Sequence, residues 1–150
     1  MAWSLLDQQG QRKYLTSGER RAFLDAALRQ PTDVQLFCRV LAETGCRLSE
    51  ALHLVPERID TSAGLIVFES LKKRRRGVYR AVPVRENLVE ALSSSDVTMS
   101  EPIWAWSRMT AYRHVQRVMK KAEIKGPHAN ARGLRHSFAI AALEAGVPLN

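Results

Sequence analysis

Apolar positions fall into helical spacing over most of this chain. Ala22, Phe23, Ala26 and Ala27 recur at three and four, the stripe of a helix with one buried face. Thr16 followed by Glu19 forms a capping-box pattern ahead of them, and Pro31 cannot continue the helix, so a first helix is predicted over about 17–29. Val34, Phe37, Cys38 and Leu41 mark a second, which runs into Thr44-Gly45, where glycine can take the left-handed backbone that closes a helix. A third helix opens at once, carries Glu50 and Leu52, and should stop before Pro56. The composition then turns β-rich. L-I-V-F-E-S-L (65–71) and V-Y-R-A-V-P-V (78–84) hold β-branched and aromatic residues and read as a hairpin with Lys72-Lys73-Arg74-Arg75-Arg76-Gly77 at its tip. Glu86 to Leu92 suits a short helix, and S-S-S-D before Met99 a surface loop. Ser107 is placed to cap a helix reaching about Ala122, with Tyr112, Val115 and Met119 turned inward. After the Gly126-Pro127 break, Asn130 can cap a last helix whose stripe is Leu134, Phe138, Ala141, Ala142 and Ala145, up to Gly146. Residues 1 to 14 show no clear period. The pattern predicts an α+β domain, mainly helical, with a small antiparallel hairpin or three-stranded sheet.

At 150 residues and 45% hydrophobic content the chain can bury one real core. A charge of +8 and a pI near 10.1 favour an anionic partner, nucleic acid first. No apolar run is long enough to cross a bilayer and the N-terminus has no basic segment leading into an apolar one, so the expected setting is cytoplasmic, without a membrane. Cys38 and Cys46 form no C-x-x-C and have no companion ligands. They read as core thiols, with neither a metal nor a disulfide expected.

The candidate chemistry is concentrated in arginines. Arg47 and Glu50 lie three apart at the start of the third helix, where a carboxylate can hold a guanidinium in one pose. Taken alone, the pair reads more readily as a structural ion pair at a helix junction. Arg132 and Arg135 repeat the spacing at the start of the last helix. The run Lys72 to Arg76 suits a solvated loop as well as a contact with a phosphate backbone. Trp104 and Trp106 are expected to anchor the core or its edge, and Tyr112 to lie in the core.

Three pieces in order, T-G-C-R-L-S-E, a basic hairpin ending R-A-V-P-V, and G-L-R-H-S-F-A followed by E-A-G-V-P-L, resemble the catalytic domain of tyrosine recombinases, the phage-integrase family. The likeness runs from about Tyr14 to Asn150. It implies cutting and rejoining of double-stranded DNA through a 3′-phosphotyrosine, with no metal or other cofactor. Arg47 would be the first catalytic arginine and Arg135 the second, both on the non-bridging oxygens of the scissile phosphate, with Glu50 orienting Arg47. A planar, permanently charged guanidinium suits that task, since it binds two oxygens at once. A hairpin lysine would protonate the departing 5′-oxygen: Lys72, or Lys73 if strand alternation favours it. DNA contacts are expected from Lys73, Arg74, Arg75, Arg76, Arg80, Arg113 and Arg117.

Two departures qualify the resemblance. Where the family usually begins H-x-x-R, this chain has Arg132, which can donate to a phosphate oxygen but cannot act as a base at neutral pH. His128 and His136 lie nearby in sequence, though His128 precedes the helix and His136 should point about 100° from Arg135; both fit hydrogen-bonded packing roles. The family's nucleophilic tyrosine would follow G-V-P-L-N, whereas Tyr14, Tyr79 and Tyr112 all precede Arg135. The expectation is therefore an arm (1–13) and a partial catalytic domain (14–150), without an N-terminal core-binding domain and without a nucleophile. Such a chain would bind DNA and grip the phosphate but leave it uncut. The alternatives are a non-catalytic DNA-binding accessory protein or regulator that occupies a recombination site or pairs with itself or an intact recombinase through its exposed C-terminal side, and a basic protein that binds nucleic acid by charge alone.

Overall fold

Local capping opens the chain's first helix as its sequence requires. In the computed structural model, which describes residues 4–70, 77–94 and 99–146, Thr16 Oγ1 accepts from the Glu19 N–H at 3.1 Å and Glu19 Oε1 accepts from the Thr16 N–H at 3.0 Å. Helix α1 (Ser17–Ala27) buries Phe23, Ala26 and Ala27. It ends two residues before the expected limit because Arg29 and Gln30 donate to the carbonyls three residues back, a tightened turn that leads into Pro31. Helix α2 (Thr32–Thr44) then buries Phe37, Cys38, Val40 and Leu41, and Gly45 closes it at φ +67°, donating to the Leu41 carbonyl.

The short α3 (Leu48–Leu52) and a single 3-10 turn (Pro56–Arg58) lead into a three-stranded antiparallel sheet in the order β1 (Ile59–Asp60), β2 (Leu65–Glu69), β3 (Tyr79–Pro83). Phe68 faces Arg80 and Ile66 faces Val82 across β2 and β3. Ile66 and Phe68 are buried, and their partners Val82 and Arg80 share the inner face, leaving Tyr79 and Ala81 on the outer one. Two residues of β1 are too few to show a period in sequence. The Ser70 N–H still donates to the Val78 carbonyl at 2.8 Å, so the hairpin's ladder extends beyond the two strands toward its tip.

Helices α4 (Glu86–Ser93), α5 (Arg108–Lys121) and α6 (Ala131–Glu144) complete the fold. Ser107 Oγ accepts from the Thr110 N–H and Asn130 Oδ1 from the Gly133 N–H, so both predicted caps form. The core gathers Phe23, Phe37, Leu41, Ile66, Phe68, Leu88, Leu92, Met119 and Leu134 around α2. The Trp104 and Trp106 rings both meet Phe37 edge-on, at 5.0 and 5.2 Å, and Trp104 Nε1 donates to the Asp33 carbonyl. Both tryptophans are packing groups.

Two inward assignments need correction. Tyr112 is 49% exposed, and the buried face of α5 is Ala111, Val115, Val118 and Met119. Helices α1 and α3 pack against α5, and a methyl group at Ala111 admits them where a phenol would hold them off. On α6, Gly133, Leu134 and Ser137 are buried, but Ala141, Leu143 and Ala145 are exposed, so the predicted stripe is covered only in its first half.

Phe138 of α6 rests on the α2–α3 corner. A Cβ at Gly45 would lie 2.5 Å from the Phe138 ring, so this glycine supplies both the left-handed backbone and the room for an aromatic seat.

The N-terminal residues are tied to both ends of the domain through Glu19. Its carboxylate takes a 2.6 Å bond from Arg12, and it lies 3.0 Å from Nε2 of the buried His128 just ahead of α6. Burial pushes the Glu19 carboxyl up, yet hydrogen bonds from Arg12, the Thr16 N–H and His128 outweigh it and hold the group at about 2 against an ordinary 4.5. A carboxyl depressed on folding stabilises the native state above its unfolded value and loses that contribution as pH falls through its folded one. The stability difference between wild type and Glu19→Gln, read by thermal melting, is therefore expected to be complete above pH 4.5 and to vanish toward pH 2.

Candidate functional site: an arginine cluster on a buried carboxylate

The corner between α2 and α3 is locked before any ligand arrives. Thr44 Oγ1 donates to the Val40 carbonyl at 2.6 Å and accepts from the Cys46 N–H at 3.2 Å. Cys46 is wholly buried, and burial pushes its thiol up to about 12 although its side-chain contact with Thr44 pulls the other way. It is an inert filler beneath Arg47. Cys38, likewise buried and pushed up to about 12, is its counterpart on α2.

Glu50 is the centre of the site. Its side chain is 1% exposed, and its carboxylate takes two hydrogen bonds from Arg80, Nη1 to Oε2 at 2.8 Å and Nη2 to Oε1 at 3.1 Å, and a third from the Arg47 backbone N–H at 2.8 Å. Two further guanidinium groups approach without bonding: Arg47 Nη1 stands 3.9 Å from Oε2 and Arg135 Nη1 stands 3.9 Å from Oε1. At that distance there is attraction but no hydrogen bond. Burial raises the Glu50 carboxyl, but the bonds from Arg80 and the Arg47 N–H and the charges behind them bring it below its ordinary value, so it stays ionised. Arg135 is lowered by burial and by the charge of Arg47, yet a guanidinium keeps its proton at any physiological pH.

Arg47 and Arg135, distant in sequence, thus come together on one carboxylate. Their side chains are 49% and 38% exposed, with donors to spare. Arg135 Nη1 donates to the Gly45 carbonyl at 2.8 Å, which fixes α6 against the corner that carries Arg47. Three guanidinium charges around one carboxylate leave a surplus of two, in a half-open position suited to a tetrahedral oxyanion.

Glu50 touches the Arg47 backbone more closely than its guanidinium, so the expected orienting contact runs through the main chain, and the carboxylate's side-chain partner is Arg80. That pairing was missed in sequence, where Arg80 counted as a DNA contact, although its alternation with Val82 already set it on the inner face of the sheet. Burial, and after it the charges of Lys13, Arg132 and Arg135, lower the His136 imidazole from its ordinary value.

Arg132 is exposed on the first turn of α6. Arg113 and Arg117 are exposed one turn apart on α5, Arg117 sharing a 3.0 Å contact with His114, and among the described residues neither pairs with Glu50. His128 serves Glu19 and lies under α6 as packing. Tyr79 sits on the outer face of β3 with its ring 4.5 Å from the Arg58 guanidinium. Lys72, Lys73, Arg74, Arg75 and Arg76 lie outside the described residues.

A family model described as the phage integrase family matches residues 13–150. Among curated proteins, none matches the chain. Of the solved structures that resemble it, XerA recombinase superposes with a TM-score of 0.75 at 27% identity, covering 90% of this chain and 52% of that one. XerH site-specific recombinase, bound to difH substrate in a pre-cleavage complex, gives 0.75 at 19%, with 94% and 49% covered. The catalytic domain of bacteriophage HP1 integrase gives 0.68 at 23%, with 90% and 74% covered. The last two speak to fold alone. This chain spans about half the length of XerA and XerH.

Proposed function

Because the chain belongs to the phage integrase family, we propose that it serves site-specific DNA recombination, binding double-stranded DNA and gripping the scissile phosphate with Arg47 and Arg135. The observation that carries this reading is the convergence of those two half-exposed guanidinium groups on buried Glu50. As a nucleophile attacks phosphorus, negative charge builds on the non-bridging oxygens, and preset donors there lower the barrier because they need not reorganise. Arg132, on the same helix as Arg135, adds a donor but no base. Lys72 or Lys73 would protonate the leaving 5′-oxygen from the hairpin tip. The attacking tyrosine would come from outside residues 1–150. Tyr79, stacked by Arg58 on the outer face of the sheet, is ill placed for it. Arg74, Arg75, Arg76, Arg113 and Arg117 would follow the phosphate backbone on either side.

Fluorescence anisotropy with a labelled duplex, paired with a suicide DNA substrate, tests the reading. Wild type should bind with a steep salt dependence and form no covalent adduct. Arg47→Ala and Arg135→Ala should each weaken binding by about tenfold to a hundredfold, and Arg117→Ala by less, since a peripheral phosphate contact lacks the paired geometry. Equal losses for all three would leave only binding by charge. An adduct would return the nucleophile to Tyr14, Tyr79 or Tyr112. A chain that binds duplex DNA without cleaving it and also self-associates would favour the accessory role, for which the uncovered second half of α6, with Leu143 52% exposed, offers a surface.

A further inference from the structure

We infer that Arg80 is a positioning residue that keeps Arg47 and Arg135 available to the phosphate, and not itself a contact with DNA. The inference rests on the phosphate-gripping role proposed for those two residues.

A carboxylate 1% exposed cannot be satisfied by water, so its lone pairs must be filled from within the protein. Arg47, Arg80 and Arg135 all compete for it. Arg80 wins on geometry: it lies on the inner face of β3, its guanidinium is stacked 5.1 Å from the Phe68 ring that faces it across the sheet, and its planar fork meets both carboxylate oxygens. Together with the Arg47 N–H it leaves no short contact for the other two guanidinium groups, which stand off at 3.9 Å.

Without Arg80 that balance changes. Glu50 would keep its charge and burial but lose two of its three hydrogen bonds. The Arg47 and Arg135 groups are about one ångström from replacing them, less than a side-chain rotation delivers. Both would close onto Glu50, neutralise it and turn their donors inward. Arg80 therefore acts at a distance from DNA by occupying the carboxylate that would otherwise draw the phosphate grip into the protein.

The critical variant is Arg80→Met combined with Glu50→Gln, which restores the wild-type net charge while removing the trap. Duplex binding is read by anisotropy below each variant's melting temperature, with folding checked by circular dichroism. Arg80→Met should weaken binding by about tenfold, and the double variant should bind more tightly than Arg80→Met alone. A double variant that binds as weakly as Arg80→Met would make Arg80 a direct DNA contact and overturn the inference. A second measurement needs no DNA. Phenylglyoxal labelling of Arg47 and Arg135, read by peptide mass, should fall in Arg80→Met and recover in the double variant. Unchanged labelling of both residues in Arg80→Met overturns the inference. Should wild type fail to bind duplex while the labelling pattern holds, the recombination reading falls and the positioning role stands.

Discussion

Gly133→Ala is expected to destabilise the domain by about 3 kcal/mol or more, near the upper end of what one added methyl group costs. Gly133 lies in the first turn of α6, where its N–H donates to the Asn130 cap. A Cβ built there would sit 1.9 Å from the His128 carbonyl oxygen and 2.9 Å from Leu15 Cδ1. The near atom is main chain, so no rotamer change can relieve the overlap; either α6 or the 126–130 segment must move. Both choices are costly. Moving the segment breaks the contact of His128 with Glu19, and moving α6 shifts Arg135 two residues away. For a domain of this size the melting temperature should fall by roughly 10 °C, and DNA affinity should fall with it even at temperatures where the variant is folded. A variant that melts within about 2 °C of wild type, less than the shift 1 kcal/mol produces, would show that the helix start yields more easily than the backbone contact implies.

The second large effect is expected at Glu50. Glu50→Ala removes a carboxylate around which Arg47, Arg80 and Arg135 are gathered and leaves three like charges close together. Breaking a buried pair in this way costs about 3–5 kcal/mol, and the partial exposure of the arginines puts this case at the low end. Two further readouts separate electrostatics from lost packing. Added phosphate should raise the melting temperature of Glu50→Ala more than that of wild type, because an anion seated among the guanidinium groups replaces the missing charge. The stability gap between the two proteins should also close as the medium is acidified below the ordinary carboxyl value of 4.5 toward the lower one Glu50 has when folded. A gap that ignores both phosphate and acid would make Glu50 a packing residue and nothing more.

What was legible in the sequence was local, or carried by motif order. The caps at Thr16, Ser107 and Asn130, the stop at Gly45 and the hairpin all follow from residues within a few positions of one another, and all are present. The mainly helical α+β fold was legible too, and it is the fold of tyrosine-recombinase catalytic domains. Contacts decided by packing of distant elements were not. Nothing near Tyr112 announces that α1 and α3 come too close for it, so Ala111 takes the inner place. Nothing near His128 points to a carboxylate 109 positions earlier. The Arg80–Glu50 pair spans 30 positions and joins a strand to a helix, so only the two-residue period of β3 hinted at it.

The aromatic seat of Phe138 on Gly45 has a mechanical meaning. One arginine is borne by the corner under that ring and the other by the helix that supplies it, so the ring sits in the joint between the two segments that carry them. A side chain at position 45 would wedge that joint open and carry Arg47 and Arg135 apart.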